Sequence, residues 1–309
     1  MNNFYGQYIG FGGAAAAGAP GTPFLGSRGV FAGGEGPINT MDYVNISSTG
    51  DASDFGDLNN SVAHPAGCAG VDSTRGIFGG GYPYTNTIDY ITIASIGNAT
   101  DFGDMQISKK GRSGLSSGTR GIISGGGDVD NEIDYVTMAS LGNASDFGDL
   151  IVAKSAHAGI SNLTRGITMG GFAPSGAYHQ PIDYLTFASL GNSIDFGDLN
   201  EPRGQGGGCE NETRGILMGG NPGGSTTNAI DYVTIASIGN ATDFGNLDAT
   251  MRYCMGTSNN TRGINGGSYS PTTNKIAYIV IASLGDANDF GNLIAARYNP
   301  GACSGISVG

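Results

Sequence analysis

The amino-acid sequence predicts an all-β fold, a six-bladed β-propeller with an irregular N-terminal arm. The first observation is a repeat that occurs six times with a period of 45 to 49 residues, one supersecondary unit per copy. Its anchor residues are Arg28, Arg75, Arg120, Arg165, Arg214 and Arg262, and Phe55, Phe102, Phe147, Phe196, Phe244 and Phe290. The second observation is that its short apolar runs are β-branched, bounded by Gly, Asn, Asp and Ser, and lack helical spacing.

Each copy predicts four strands. The first is rich in Gly and Ser, as at residues 114–117, and the second is Arg-Gly-Ile-x-x-Gly-Gly. The third is Ile-Asp-Tyr-x-x-Ile-Ala-Ser, and the fourth begins at Asp-Phe-Gly-Asp-Leu. Such a unit is too small to bury its apolar face alone, so the copies must stack.

The third observation is that the two ends of the chain complement each other. The strand predicted at residues 302–307 has no Arg-Gly-Ile partner after it, and the copy at Arg28 has no Gly/Ser strand before it. Together they would complete one blade and close the ring, which removes open sheet edges. We therefore expect an arm at residues 1–26 and a propeller at residues 27–309.

The repeat resembles kelch-type propellers, in which a Gly-Gly pair ends one strand and an aromatic residue lies in the next. Phe of Asp-Phe-Gly would take the place of the kelch tryptophan, since the chain contains no Trp. The repeat sequence also resembles that of repeat proteins of marine bacteriophages. The motifs that carry this resemblance are Thr-Arg-Gly-Ile-x-x-Gly-Gly, Ile-Asp-Tyr-Val-Thr-Ile-Ala-Ser and Asp-Phe-Gly-Asp-Leu. That resemblance implies a virion-associated or tail-associated structural protein on an extracellular particle.

Composition excludes several classes of function. A net charge of −12 disfavours nucleic-acid binding, which needs a basic surface. No apolar run is long enough to span a membrane, and the first residues lack the basic region of a signal peptide. The cysteines, one in each of four blades, are expected to be buried free thiols. They are Cys68, Cys209, Cys254 and Cys303.

A residue present in every copy is more simply explained by folding than by catalysis. We expect the repeated Arg residues and the Asp of Asp-Phe-Gly to form turn-fixing and interblade hydrogen bonds. These aspartates are Asp54, Asp101, Asp146, Asp195, Asp243 and Asp289. The Asp of Ile-Asp-Tyr is replaced once, by Ala277, so it is the less favoured partner. Calcium sites using pairs such as Asp101 and Asp104 are an alternative, although two carboxylates are few for calcium.

No motif predicts a catalytic constellation, a metal site or a cofactor. Insertions occur mainly between the Gly-Gly pair and Ile-Asp-Tyr, where the distance from the anchor Arg to the Asp position varies from 14 to 18 residues. Variable loops on a rigid scaffold are where binding usually resides. Aromatic and amide side chains in these loops suit contact with a sugar or a protein. The candidate ligand-binding residues are Tyr82, Tyr84, Tyr178, His179, Gln180 and Tyr269; drift in solvent-exposed loops is the alternative.

The arm combines flexible linker composition with apolar residues near its start, which favours a tether that orders against a partner. Its candidate anchors are Phe4, Tyr5, Tyr8, Ile9 and Phe11. We thus expect a non-enzymatic structural or adhesive propeller on a virus particle. The arm would dock to other virion proteins, and the loops would contact a host-surface glycan or receptor. A scaffold without a ligand and a secreted carbohydrate-active enzyme are the alternatives.

Overall fold

The computed structural model describes residues 27–69, 74–127 and 130–305, and within them it contains 24 β-strands and no helix. The strands form six antiparallel four-stranded sheets. The prediction of an all-β, six-bladed propeller is confirmed. The proposed arm and its apolar anchors lie outside the described residues. Since no described residue is helical, none of them could cross a membrane as an apolar helix.

The four strands of a blade follow one another from the centre of the propeller outward. From innermost to outermost, blade 1 contains β24 (Gly301–Gly305), β1 (Arg28–Ala32), β2 (Ile38–Asn45) and β3 (Ser53–Val62). Blade 2 contains β4 (Ala66–Ala69), β5 (Arg75–Gly79), β6 (Thr87–Thr92) and β7 (Thr100–Asp104). Blade 3 contains β8 (Ser113–Ser116), β9 (Arg120–Ser124), β10 (Asp130–Thr137) and β11 (Ser145–Lys154).

Blades 4 to 6 repeat this order without change. Blade 4 contains β12 (Ala158–Ser161), β13 (Arg165–Met169), β14 (Pro181–Thr186) and β15 (Ile194–Asp198). Blade 5 contains β16 (Gly207–Glu210), β17 (Arg214–Gly220), β18 (Thr227–Thr234) and β19 (Thr242–Asn246). Blade 6 contains β20 (Met255–Ser258), β21 (Arg262–Ser268), β22 (Thr273–Val280) and β23 (Asn288–Asn292).

The ring is closed by β24, which pairs with β1 over five residues, from Arg28 opposite Gly305 to Ala32 opposite Gly301. The inner strands contact one another in the cyclic order β4, β8, β12, β16, β20, β24 and back to β4. The predicted complementation of the two ends is therefore present. The four cysteines are buried free thiols, as expected.

The glycine of Asp-Phe-Gly lets neighbouring blades approach. Gly103 has φ +145°, and a Cβ there would lie 2.5 Å from the carbonyl oxygen of Gly142 in the next blade. The amide of Gly142 donates to the carbonyl of Phe102 at 2.9 Å. A side chain at this position would break the contact, which explains why the glycine occurs in all six copies.

The anchor arginines join the blades. Arg165 Nη1 donates to the carbonyl oxygen of Ile235 in the next blade at 2.9 Å, and its guanidinium lies 4.8 Å from the ring centroid of Tyr184 in its own blade. Tyr184 in turn meets the buried Phe196 edge-on. The same arrangement occurs in all six blades, including the bond from Arg262 back to Ile46 of blade 1.

The partner predicted for the arginines was wrong. The Asp residues of Asp-Phe-Gly are all exposed, and none forms an ion pair with a described arginine. The buried aspartate is the one in Ile-Asp-Tyr, which binds a cation at the end of the preceding blade's outer strand or in the segment that leads from there into its own blade. The pairs are Asp42 with Arg297, Asp134 with Arg112, Asp183 with Lys154 and Asp231 with Arg203, at 2.7–2.8 Å. In blade 2, Asn59 binds Asp89 instead.

The third strand is shorter than predicted. In blade 2 it ends at Thr92, and the Ile-Ala-Ser that follows forms a turn in which the amide of Ser95 donates to the carbonyl of Thr92. Ile93 is nevertheless fully buried, and its carbonyl accepts the bond from Arg28. The turn therefore positions the carbonyl that accepts the hydrogen bond from the anchor arginine of the preceding blade.

We expect Arg165→Ala to lower the free energy of unfolding by about 1–3 kcal/mol, because the carbonyl of Ile235 loses its donor and Tyr184 loses its cation. Lys275→Ala, which removes a partly exposed ion pair with Asp248, is the control and should cost less than about 1 kcal/mol. Denaturant unfolding measures both. Equal effects of the two substitutions would contradict a structural role for the repeated arginine.

Candidate functional site

Six residues, one per blade, form a closed ring of hydrogen bonds about the propeller axis. Each donates its backbone amide to the carbonyl of its counterpart in the preceding blade, at 2.6–3.4 Å. This axial ring consists of His64, Gly111, Ala156, Gln205, Tyr253 and Asn299. Each of its residues is the ninth after the anchor Phe of a copy, so the repeat sets the geometry.

All six residues of the axial ring have a left-handed backbone, with φ between 51° and 67°. Glycine adopts this conformation freely, and blade 3 has Gly111 there. The other five blades carry a side chain at a cost of about 1 kcal/mol each, and bulky residues such as Tyr253 and Gln205 are rare in this region. Folding alone therefore favours glycine at positions where this chain has His, Gln, Tyr and Asn.

The axial ring forms the floor of a cavity of about 560 Å³. Its wall comes from two loop classes, the loops after the Gly-Gly pairs and the loops that enter the inner strands. The first class contributes Glu35, Phe172, Tyr178, Asn221 and Tyr269, and the second contributes Lys110, Ser155, Arg252 and Tyr298. Both classes lie at one end of the propeller because the strands of each blade are antiparallel. The volume falls in the range of small-molecule sites.

Three tyrosines and an arginine form an aromatic cluster in the cavity. The ring centroids of Tyr269 and Tyr298 lie 4.8 Å apart, and Tyr253 lies 6.1 Å from Tyr269. The guanidinium of Arg252 lies 5.0 Å from the Tyr269 centroid. Gln205 Nε2 donates to the hydroxyl of Tyr253 at 2.9 Å and to that of Tyr178 at 3.2 Å. The floor and wall thus hold one another in place.

His64 lies opposite Gln205 in the axial ring and is neutral at physiological pH. Burial, together with the charge of Lys110, lowers its pKa to about 4. The amide nitrogen of Asn299 donates to His64 Nε2 at 2.8 Å, and Glu35 Oε2 lies 3.4 Å from the same atom. This side of the cavity offers polar groups that could hydrogen-bond a ligand.

The structure brings some of the predicted ligand-binding residues to this cavity. Tyr178 and Tyr269 line it directly. Tyr82 and Tyr84 stand beside it, since Lys110 Nζ lies 4.8 Å and 5.6 Å from their ring centroids. These four residues come from three different blades, and all of them lie in the loops whose variable length and content marked them as candidates.

The structure places His179 and Gln180 outside the cavity lining. Gln180 Nε2 donates to the carbonyl of Leu199 at 2.8 Å, a bond that Asn228 and Asn274 repeat in blades 5 and 6. Burial and Lys154 lower the pKa of His179, whose Nε2 is buried and has no partner among the described residues. Gln180 is thus bound within its own blade, whereas His179 lies near Lys154 at the end of β11 in blade 3.

Sequence reasoning missed the axial ring and its neighbours Arg252 and Tyr298. The signal in the sequence is the constant spacing of eight and nine residues from each anchor Phe, where the residue type changes from Gly or Ala to His, Gln, Tyr or Asn. The segment from the anchor Phe to these positions has the same length in all six copies, so a search for insertions could not find them.

A second, narrower space of about 80 Å³ lies along the inner strands, lined by glycines, serines and Glu210. Burial raises the pKa of Glu210 to about 8. Among the described residues, no group of three or more His, Cys, Asp or Glu side chains could hold a metal ion.

No family model matches this chain, and no curated protein sequence is significantly similar to it.

Proposed function

We propose that the protein is a non-enzymatic binding module that recognises a glycan in the axial cavity. The observation that carries the proposal is the axial ring, where non-glycine residues occupy left-handed positions that folding would give to glycine. Backbone strain of this kind concentrates at functional sites. The residues held there line the axial cavity.

The chemistry of the cavity supports a sugar as the ligand. The faces of Tyr253, Tyr269 and Tyr298 offer apolar area for a pyranose ring, and their hydroxyls offer hydrogen bonds. Gln205, Asn221 and Asn299 add amide groups, which suit a polyhydroxylated ligand. The closed ring of backbone hydrogen bonds between the blades holds the axial side chains in place, so little order has to be gained on binding.

The particle context follows from the resemblance of the repeat to bacteriophage proteins. In this proposal the propeller is carried on a virus particle, residues 1–26 attach it, and the cavity faces a host-surface glycan. The kelch-like character of the repeat belongs to the same proposal. Loss of particle incorporation on removal of residues 1–26, with the propeller still folded, would support the attachment role.

A scaffold without a ligand is the second candidate, and one observation favours it. At the end of the propeller opposite the cavity, five blades expose a large apolar side chain in the same turn, at 55–63 % of its surface. These are Ile96, Leu141, Leu190, Ile238 and Leu284. Repeated exposed apolar residues are typical of surfaces that contact another protein. This end could dock to a neighbouring virion protein.

The test of glycan binding is Gln205→Gly. We expect unchanged folding, because glycine suits the left-handed backbone and the free energy of unfolding should stay within about 1 kcal/mol. Binding on a glycan array should fall by about tenfold or more, because the cavity loses an amide and the support of Tyr178 and Tyr253.

Ala156→Gly is the matched control, since it makes the same backbone change in the axial ring without removing a polar group. Ile238→Ser changes the opposite end of the propeller. Both should bind glycans like the wild type. Loss of binding in Ile238→Ser with full binding in Gln205→Gly would place the site at the other end, and no glycan binding by the wild type would favour the scaffold.

A further inference from the structure

The basic residues of this chain divide into three groups. Six are the anchor arginines, which donate to backbone carbonyls of the next blade. Six form ion pairs with carboxylates: Lys109, Arg112, Lys154, Arg203, Lys275 and Arg297. The chain has 14 Lys and Arg residues, and all of them lie within the described ranges. The remaining two, Lys110 and Arg252, have no carboxylate partner among the described residues, and both line the axial cavity.

This placement is unusual for a chain whose net charge is −12. With 26 acidic residues in the chain, every other cation outside the anchor set is paired. Among the described residues that line the cavity, Glu35 is the one carboxylate, and its near neighbour is the neutral His64 at 3.4 Å. Among the described lining residues two cations thus stand against one carboxylate, so this part of the cavity favours an anion on an otherwise acidic protein.

Arg252 is held in place for such a contact. Its guanidinium lies 5.0 Å from the ring centroid of Tyr269 and 6.0 Å from that of Tyr253. Its backbone amide donates to Ser268 Oγ at 3.1 Å, and Nε has no hydrogen-bond partner in the described structure. The planar guanidinium is stacked on tyrosines and has no carboxylate partner in the described part of the chain, so it can offer paired N–H donors to a carboxylate or sulfate.

Lys110 supplies the second positive charge from another blade. Its Nζ lies 4.8 Å from the centroid of Tyr82 and 5.6 Å from that of Tyr84. Two tyrosines thus accompany each of the two cations, Lys110 and Arg252, that have no carboxylate partner within the described ranges. A cation beside aromatic faces matches a ligand with both an anionic group and a ring.

We propose that the ligand of the axial cavity is an acidic sugar, whose carboxylate or sulfate binds Arg252 while the sugar ring packs on the tyrosines. This inference rests on the proposed glycan-binding function and deepens it to a ligand class. Lys110 increases the attraction from the other side of the cavity. The six ion-paired cations bind a carboxylate of the protein itself. For Arg252, the anion of the ligand would fill that role.

The test compares matched acidic and neutral oligosaccharides by calorimetry on the full chain. The probes are a sialylated lactose against lactose, a glucuronic-acid disaccharide against its glucose counterpart, and a sulfated disaccharide against its unsulfated form. We expect the affinity of each acidic probe that binds to exceed that of its neutral counterpart by about tenfold or more. The carboxylate and sulfate pairs also tell which anion the cavity prefers.

Arg252→Gln should weaken the binding of acidic probes by about tenfold or more and that of neutral probes by less, so that the preference for acidic probes is lost. Arg252→Lys should keep only part of the preference, because an ammonium lacks the paired donors. Lys275→Gln is the charge-matched control outside the cavity and should bind like the wild type. Unchanged melting temperatures establish that each variant is folded.

Two outcomes would overturn the proposal in distinguishable ways. Equal binding of acidic and neutral sugars would refute the acidic ligand and leave the glycan-binding function standing. Binding of an acidic peptide with no binding of any sugar would refute both, because the positive cavity would then serve a protein partner.

Discussion

Replacing Arg203 by methionine should lower the free energy of unfolding by about 3–5 kcal/mol, because it leaves a buried carboxylate without its cation. Arg203 Nη1 lies 2.7 Å from Asp231 Oδ2, and both side chains are almost completely buried. Asp231→Ala should cost a similar amount, since it leaves the guanidinium unpaired. Denaturant unfolding of the two single variants measures the effect.

The protein itself provides the compensating variant. In blade 6 the same two positions are Met251 and Ala277, both buried, so cation and carboxylate are replaced together. The double variant R203M/D231A should therefore recover most of the loss and lie within about 1 kcal/mol of the wild type. A double variant as unstable as the sum of the two single ones would show that the pair is not coupled.

Removing residues 300–309 should lower the melting temperature by well over about 5 °C. The deletion takes away β24, which completes blade 1 against β1 and contacts the inner strands β4 and β20. It exposes a sheet edge and removes the buried side chains of Ala302 and Cys303.

A synthetic peptide of residues 298–309 provides the control for this deletion. Added to the truncated protein, it should raise the melting temperature again, because it can pair with the edge of β1. An unchanged melting curve after truncation would contradict ring closure by β24, as would a truncated protein that the peptide does not stabilise.

The fold was predictable because each copy of the repeat carries its own evidence. Strand-forming runs and Gly-Gly pairs recur at nearly constant spacing, and an unpaired strand at each end indicates closure. The interblade role of the arginines was predictable for the same reason. Their acceptors were not, because Ile93 and its counterparts offer backbone carbonyls, which have no signature in the sequence.

The ionic network was misassigned for a physical reason. One copy has Ala277 in place of the Asp of Ile-Asp-Tyr. Considered alone, this exception indicates that the aspartate is not needed for folding. The structure shows that its counterpart Met251 is apolar as well, so the exception follows the rule that a buried charge is paired or absent. A comparison of residue types at the two positions would have shown the pairing in blades 1, 4 and 5 and its joint loss in blade 6. It would not have shown it in blade 2, where Asn59 binds Asp89, or in blade 3, where Arg112 binds Asp134.

The site was only partly predictable. Tyr178 and Tyr269 were found because insertions mark their loops. Tyr253 and Arg252 lie in a segment of constant length, and their proximity to the axis depends on the left-handed turn that each blade makes there. Such a turn in a non-glycine residue is not encoded by a recognisable motif.

The most direct test of the axial site is nuclear magnetic resonance of the protein with carbon-13-labelled tyrosine rings, titrated with the oligosaccharide that binds best on the array. The chain offers two internal sets of tyrosines for comparison. The cavity set is Tyr178, Tyr253, Tyr269 and Tyr298, and the blade set is Tyr43, Tyr90, Tyr135, Tyr184, Tyr232 and Tyr278. We expect ring signals of the cavity set to shift on binding while those of the blade set stay in place. Shifts confined to the blade set, or a bound ligand that leaves the cavity set unchanged, would contradict binding at the axis.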